Sequence, residues 1–166
     1  MTHTITCRQT LAVTSHRVLA SDLNEHETVY GGRLLSLLDG TASISASRCA
    51  RTQCVTGLVE DVDFIAPFTL QDSLCIETYV TGIGQRSLEV FAKVIGEHLN
   101  TGERFLGATA FLTFVTLEKV DLPTLLPETP EEKALCQDFS TRQATRKQKR
   151  QAKKALFKQL TLETPW

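Results

Sequence analysis

Hydrophobic positions recur along this chain with two different periods, and the switch between them locates its elements. Residues 8 to 20, RQTLAVTSHRVLA, mix apolar and β-branched side chains and read as a first strand, with a polar loop from Ser21 to Glu27 after it. From Arg33 to about Ala50 the run RLLSLLDGTASISASRCA puts Leu34 or Leu35, Leu38, Ala42, Ser45 or Ala46 and Cys49 on one stripe at helical spacing. Beyond it the pattern alternates. Leu74, Ile76 and Val80 share one face, as do Leu88, Val90, Ala92 and Val94. QCVTGLVEDVDFIAP and RFLGATAFLTFVTLE are long, β-rich and bounded by the turn signals Ala66-Pro67 and Asn100-Thr101-Gly102. Strand, helix and four consecutive strands make an α+β protein, an antiparallel sheet with one helix against it.

The helix is rich in small residues, Gly40, Ala42, Ser43, Ser45, Ala46 and Ser47, which lets its backbone approach a sheet that curves around it. Such a sheet has exposed edges, and pairing two sheets edge to edge in a dimer is one way to cover them. After Leu122-Pro123 the composition shifts, and Thr129-Pro130-Glu131-Glu132 is a capping-box pattern with proline at the first helical position, where a C-terminal helix begins. The division is a domain over residues 1–122 and a basic helical extension over 123–166. Between Arg142 and Lys158 stand eight Lys or Arg and no Asp or Glu.

Composition narrows the setting. A chain of 166 residues with 42% hydrophobic and 22% charged residues is one ordinary globular protein, and a net charge of −1 gives no overall pull toward nucleic acid or membrane. The five cysteines, Cys7, Cys49, Cys54, Cys75 and Cys136, are odd in number and lack paired C-x-x-C spacing. Neither a disulfide framework nor a zinc site is called for, and His3, His16, His26 and His98 are too scattered to bind a metal. No basic-then-apolar leader and no run long enough to span a membrane occurs, so a reducing, cytoplasmic setting is expected.

Asp39 stands inside the helical run, although aspartate is a poor residue there and prefers caps and turns. By spacing alone it fits either a solvated helix edge or a catalytic carboxylate. Taken together, NEHETVYGGRLLSLLD, VTGLVEDVDFIAP, GQRSLEV and ATAFLTFV resemble, in order and interval, the acyl-CoA thioesterases of the hotdog fold, over roughly residues 8 to 118. The resemblance implies a long central helix wrapped by an antiparallel sheet, with residues 1–122 as the hotdog domain. It implies hydrolysis of acyl-CoA to fatty acid and coenzyme A without a cofactor. It also implies a homodimer with active sites between subunits, often built into a trimer of dimers.

Carried onto this chain, the family pattern places the catalytic carboxylate at Asp39, as general base on water or as nucleophile, and an assisting amide at Asn24. Gly31 and Gly32 would offer backbone N–H groups to the developing oxyanion, or simply let helix and sheet touch. Arg86 and Ser87 match the turn that contacts the pantetheine or phosphates of coenzyme A. The chain departs from the pattern at Glu27, where the family usually has glycine, so the loop is expected to find another conformation. The basic C-terminal run serves as a solvated helix, a dock for coenzyme A phosphates, or a weak RNA or acidic-membrane contact. A non-catalytic acyl-CoA sensor is the main rival function. A hotdog hydratase needs a histidine beside a carboxylate, and the central helix has none.

Overall fold

The computed structural model describes residues 3 to 163. Along the chain run β1 (Thr4–Thr6), α1 (Cys7–Thr10), β2 (Ala12–Arg17), α2 (Gly31–Ala50), β3 (Cys54–Phe64), β4 (Asp72–Ile83), β5 (Ser87–His98) and β6 (Arg104–Thr116). The chain ends in β7 (Thr124–Leu126), α3 (Pro130–Gln137) and α4 (Phe139–Phe157). Five strands form one antiparallel sheet in the order β2-β4-β5-β6-β3, and β1 pairs with β7 in a separate parallel ribbon.

The helix α2 lies on the inner face of this sheet, as its stripe predicts. Leu34, Leu38, Ala42, Ala46 and Cys49 are buried against Leu74, Ile76, Val80, Leu88, Val90, Ala92 and Val94. Full burial of each large aliphatic side chain contributes about 1.5–3 kcal/mol. On this stripe the helix carries the small buried residues Ala42, Ser45 and Ala46, and Ser45 Oγ donates to the Thr78 carbonyl at 2.9 Å. Gly40 and Ser47 face away from the sheet instead, so only part of the small-residue run serves close approach.

Three expectations need correction. Residues 8 to 20 are not one strand, because Thr6 and Gln9 form a capping box, Gln9 N–H to Thr6 Oγ1 and Thr6 N–H to Gln9 Oε1, that winds Cys7–Thr10 into a turn of helix before β2 starts. The central helix starts at Gly31 rather than Arg33. The C-terminal helix is two helices, broken at Asp138. The expected capping box at Thr129 and Glu132 does open the first of them.

The outer face of the sheet is covered by the end of the chain. Tyr79, Phe91 and Phe111 on that face pack with Cys7, Leu11, Leu125, Leu135 and Cys136 in a second, smaller core. Gly82 makes room for Phe139, whose ring would overlap any Cβ there. At the centre of this face Glu89 is wholly buried, with Arg142 Nη2 at 2.7 Å and Arg146 Nη1 at 2.6 Å. Thr81 Oγ1 donates to the same carboxylate, Arg142 also lies over the Phe111 ring, and Arg146 reaches Glu60. Two of the eight cations in the basic run are therefore bound to the sheet and not solvated.

Among the described residues no helix is long and apolar enough to cross a membrane. Replacing Arg142 with Ala leaves Glu89 buried with half its countercharge. Breaking a buried pair in this way costs about 3–5 kcal/mol, so urea unfolding of R142A should show a midpoint far below wild type. An unchanged midpoint would mean the clamp holds nothing.

Candidate active site

The segment from Asp22 to Tyr30 is a closed loop built on one buried carboxylate. Asp22 accepts from Leu19 N–H at 2.9 Å and Arg33 Nε at 3.0 Å, with His16 Nε2 at 2.7 Å. Burial alone raises the Asp22 pKa, but His16, the Leu19 N–H and Arg33 together outweigh it and hold the carboxyl down at about 2. The Asp22 carbonyl accepts from Tyr30 N–H, and Leu23 bridges to Val29, so β2, the loop and the start of α2 are tied together. Sequence reading passed Asp22 over as an ordinary loop residue. Its signal was an arginine eleven residues on, at the first turn of the helix.

Asn24 organises the tip of the loop. Its Oδ1 accepts from His26 N–H at 2.9 Å and Thr28 N–H at 3.2 Å, and its Nδ2 donates to Thr28 Oγ1. Glu27 takes φ +60°, the left-handed conformation. The expectation of a new loop conformation at Glu27 is thereby corrected. The turn keeps the backbone that suits glycine, because Asn24 closes it on both sides: Asn24 N–H to the Thr28 carbonyl and Glu27 N–H to the Asn24 carbonyl. A non-glycine residue there costs about 1–2 kcal/mol.

The loop delivers the chain to Gly31, where α2 begins with no side chain capping it. The Gly32 Cβ position falls against the exposed Tyr30 ring, and that of Gly31 against Phe64 at 3.5 Å. A largely apolar cleft of about 320 Å³ opens beside this helix end, lined by Thr28, Gly31, Leu34, Phe64 and Phe68 among others. Asp39 lies eight residues further on, about 12 Å along the helix axis. Its Oδ1 accepts from Thr56 Oγ1 of β3 at 2.6 Å. The edge strand β3 thus runs alongside α2, Thr56 against Asp39 and Phe64 against Gly31. Thr56 was not foreseen, since only the fold brings that strand beside the helix.

Within the chain, no hydrogen bond joins the Asn24 loop to Asp39 among the described residues. β3 is an edge of eleven residues that exposes Val55, Leu58, Val59 and Phe64, the last at 57%. Arg86 and Ser87 sit apart, in the β4–β5 turn. Arg86 Nη2 donates to the Thr116 and Leu117 carbonyls, and the residue lines a polar cleft of about 1070 Å³ with Lys119, Thr124 and Cys136. Ser87 opens β5 and is not among the cleft-lining residues. No group of three or more His, Cys, Asp or Glu among the described residues is placed to hold a metal ion.

A long helix against an antiparallel sheet, with a carboxylate on the helix beside an edge strand, is the architecture of the hotdog fold. The family model of the thioesterase superfamily matches residues 26–103. The uncharacterized acyl-CoA thioester hydrolase YkhA of Bacillus subtilis is 44% identical over 96% of this chain and 95% of its own length. A crystal structure of an apo-hexameric acyl-CoA thioesterase superimposes with TM-score 0.85 at 32% identity, covering 89% of this chain and 97% of that one. The acyl-CoA hydrolase of Staphylococcus aureus, solved with butyryl coenzyme A and coenzyme A, gives TM-score 0.88 at 28% identity, covering 93% and 97%. That enzyme has also been solved with alanine in place of an asparagine, of an aspartate fifteen residues further on, and of a threonine seventeen beyond that. This chain belongs to the acyl-CoA thioester hydrolases of the thioesterase superfamily.

The Asp22 cluster makes the loop acid-sensitive. Its folded pKa is depressed, so its stabilisation is present above the unfolded value and is lost as pH falls from about 4 through about 2. Thermal unfolding should show Asp22→Asn less stable than wild type at pH 7 by about 2 kcal/mol, with the gap closing toward pH 2. Glu27→Gly should stabilise the protein by about 1 kcal/mol, whereas Glu27→Val should destabilise it. Equal midpoints for the two variants would remove the left-handed turn from the account.

Proposed function

We propose that this chain hydrolyses acyl-coenzyme A to a carboxylic acid and free coenzyme A, in active sites shared between the subunits of a homodimer. The observation that carries the reading is the trio Asn24, Asp39 and Thr56. Their intervals of fifteen and seventeen are those of the three substituted residues in the Staphylococcus aureus enzyme. Asp39 and Thr56 share a hydrogen bond at the seam between α2 and β3.

In this reading two β3 edges pair, covering Val55, Leu58 and Val59, and bring Asp39 of one subunit to the Asn24 loop of the other. Three such dimers would make a hexamer like that of the apo-hexameric relative. Thioester hydrolysis needs an activated water and a site for charge growing on the carbonyl oxygen. Asp39 takes a proton from water, or attacks the carbonyl itself, while Thr56 fixes one of its oxygens. The Gly31 and Gly32 N–H groups, at an uncapped helix N-terminus, receive the oxyanion, and the helix dipole favours the charge. Asn24 holds the loop around this point and has one amide hydrogen left to orient substrate or water. The apolar cleft beside Gly31 takes the first carbons of the acyl chain.

Arg86 binds a phosphate of coenzyme A, with Ser87 beside it toward the pantetheine. The division at residue 122 belongs to the same reading, with the extension acting as cover for the outer face. Five thiols with no disulfide suit a reducing cytoplasm.

Release of coenzyme A should fall by about 10²–10⁴-fold in Asp39→Asn while coenzyme A binding, read by calorimetry, stays at wild-type strength. Binding without turnover in the wild type would favour a sensor instead. Co-refolding Asp39→Asn with Asn24→Ala tests the shared site. Neither parent is active, yet half of the dimers are mixed and each of those carries one intact site, so about a quarter of wild-type activity should return. No recovery would place both residues in one subunit's site.

A further inference from the structure

We propose that Cys7 and Cys136 are a peroxide-sensitive pair that closes into a reversible disulfide, joining the first helix of the chain to the extension that covers the outer face. Their sulfurs lie 3.7 Å apart, although 129 residues separate them in sequence. Each cysteine sits on an element fixed by its own capping box, Cys7 at the start of α1 and Cys136 in the last turn of α3. Cys7 is wholly buried beside Tyr79 and Phe91, while Cys136 is half-buried and lines the cleft of about 1070 Å³. One sulfur is thus reachable from solvent, and its partner waits behind it. No other two cysteines among the described residues share a hydrogen bond.

Local chemistry assigns the order of events. Either S–H can donate across the 3.7 Å contact. Cys7, however, is wholly buried and pushed up by that contact and by burial, whereas the half-buried Cys136 at the cleft has its thiolate favoured and its pKa lowered by the neighbouring thiol. Cys136 therefore attacks first. Its thiolate forms an S–O bond with hydrogen peroxide as the O–O bond breaks, leaving a sulfenic acid and a hydroxide that is protonated to water. Cys7 then attacks the Cys136 sulfur. The S–S bond forms, the S–O bond breaks, and the departing hydroxide takes the Cys7 proton as water. Two thiols and one peroxide become a disulfide and two waters. A bond of about 2 Å requires the sulfurs to close the remaining gap, and the cleft beside Cys136 leaves room for its side chain to turn. Of the other thiols, Cys49 is buried and pushed up to about 12, and Cys54 is also raised by burial.

The inference uses none of the residues proposed for catalysis, although the cleft beside Cys136 is the one that Arg86 also lines. The test is hydrogen peroxide treatment of the intact native protein, then alkylation and peptide mapping by mass spectrometry. The expected result is a linked peptide pair containing Cys7 and Cys136, a mass loss of about 2 Da per chain, reversal by dithiothreitol, and a Tm raised by about 5 °C or more. In Cys7→Ser, dimedone should trap the sulfenic acid on Cys136. In Cys136→Ser, Cys7 should stay unmodified at the same dose. Five free thiols after treatment, links between other cysteines, or first oxidation at Cys7 would each overturn the proposal.

Discussion

The fit of one narrow helix stripe into a curved sheet is the constraint on which the rest of the molecule depends. Ala42, Ser45 and Ala46 let α2 lie against β4, and Leu34 and Leu38 fill the same core toward the start of the helix. That fit fixes the rotation of the helix. Asp39 is then turned off the stripe toward β3, where Thr56 meets it, and Gly31 is set at the mouth of an apolar cleft. A bulkier residue at Ala42 or Ala46 would push the helix outward and move both groups at once. The geometry of the proposed site and the packing of the core are in this sense a single property of α2.

The outer face works by a different principle. A one-layer sheet with one helix leaves half its surface bare, and here that surface carries aromatics and a carboxylate. The extension supplies the opposite charges and the cover: Arg142 and Arg146 for Glu89, Glu131 for Tyr79 and Lys93. Burying charge is favourable only with full pairing, and Glu89 has both cations and a hydroxyl donor.

The inner half of the structure was legible in the sequence because its signals are periodic. Leu34, Leu38, Ala42 and Cys49 on the helix, and Leu74 to Val94 on the strands, mark their buried faces by spacing alone. What escaped was pairing between distant residues. Glu89 looks like any polar position on an alternating strand, and Arg142 like any member of a charge run; only the fold puts them together. Asn24, Asp39, Gly31 and Gly32 could be nominated through family resemblance, while Thr56 and Asp22 act through neighbours that no local pattern names. The short helix at Cys7 was missed for another reason, since Thr6 and Gln9 spell a capping box that the apolar count overrode.

The clamp on Glu89 also bears on how the chain becomes a protein. Synthesis proceeds from the N-terminus, and the last strand of the sheet ends at Thr116, thirty residues before Arg146. For that interval a nascent sheet would hold the Glu89 carboxylate against water, with a bare aromatic surface around it. The outer face of the sheet therefore gains its cover only once the basic helix has emerged, and a product ending early would keep the aromatic surface around Glu89 exposed to water and to other chains. The basic tail is in that sense the completion signal of the fold.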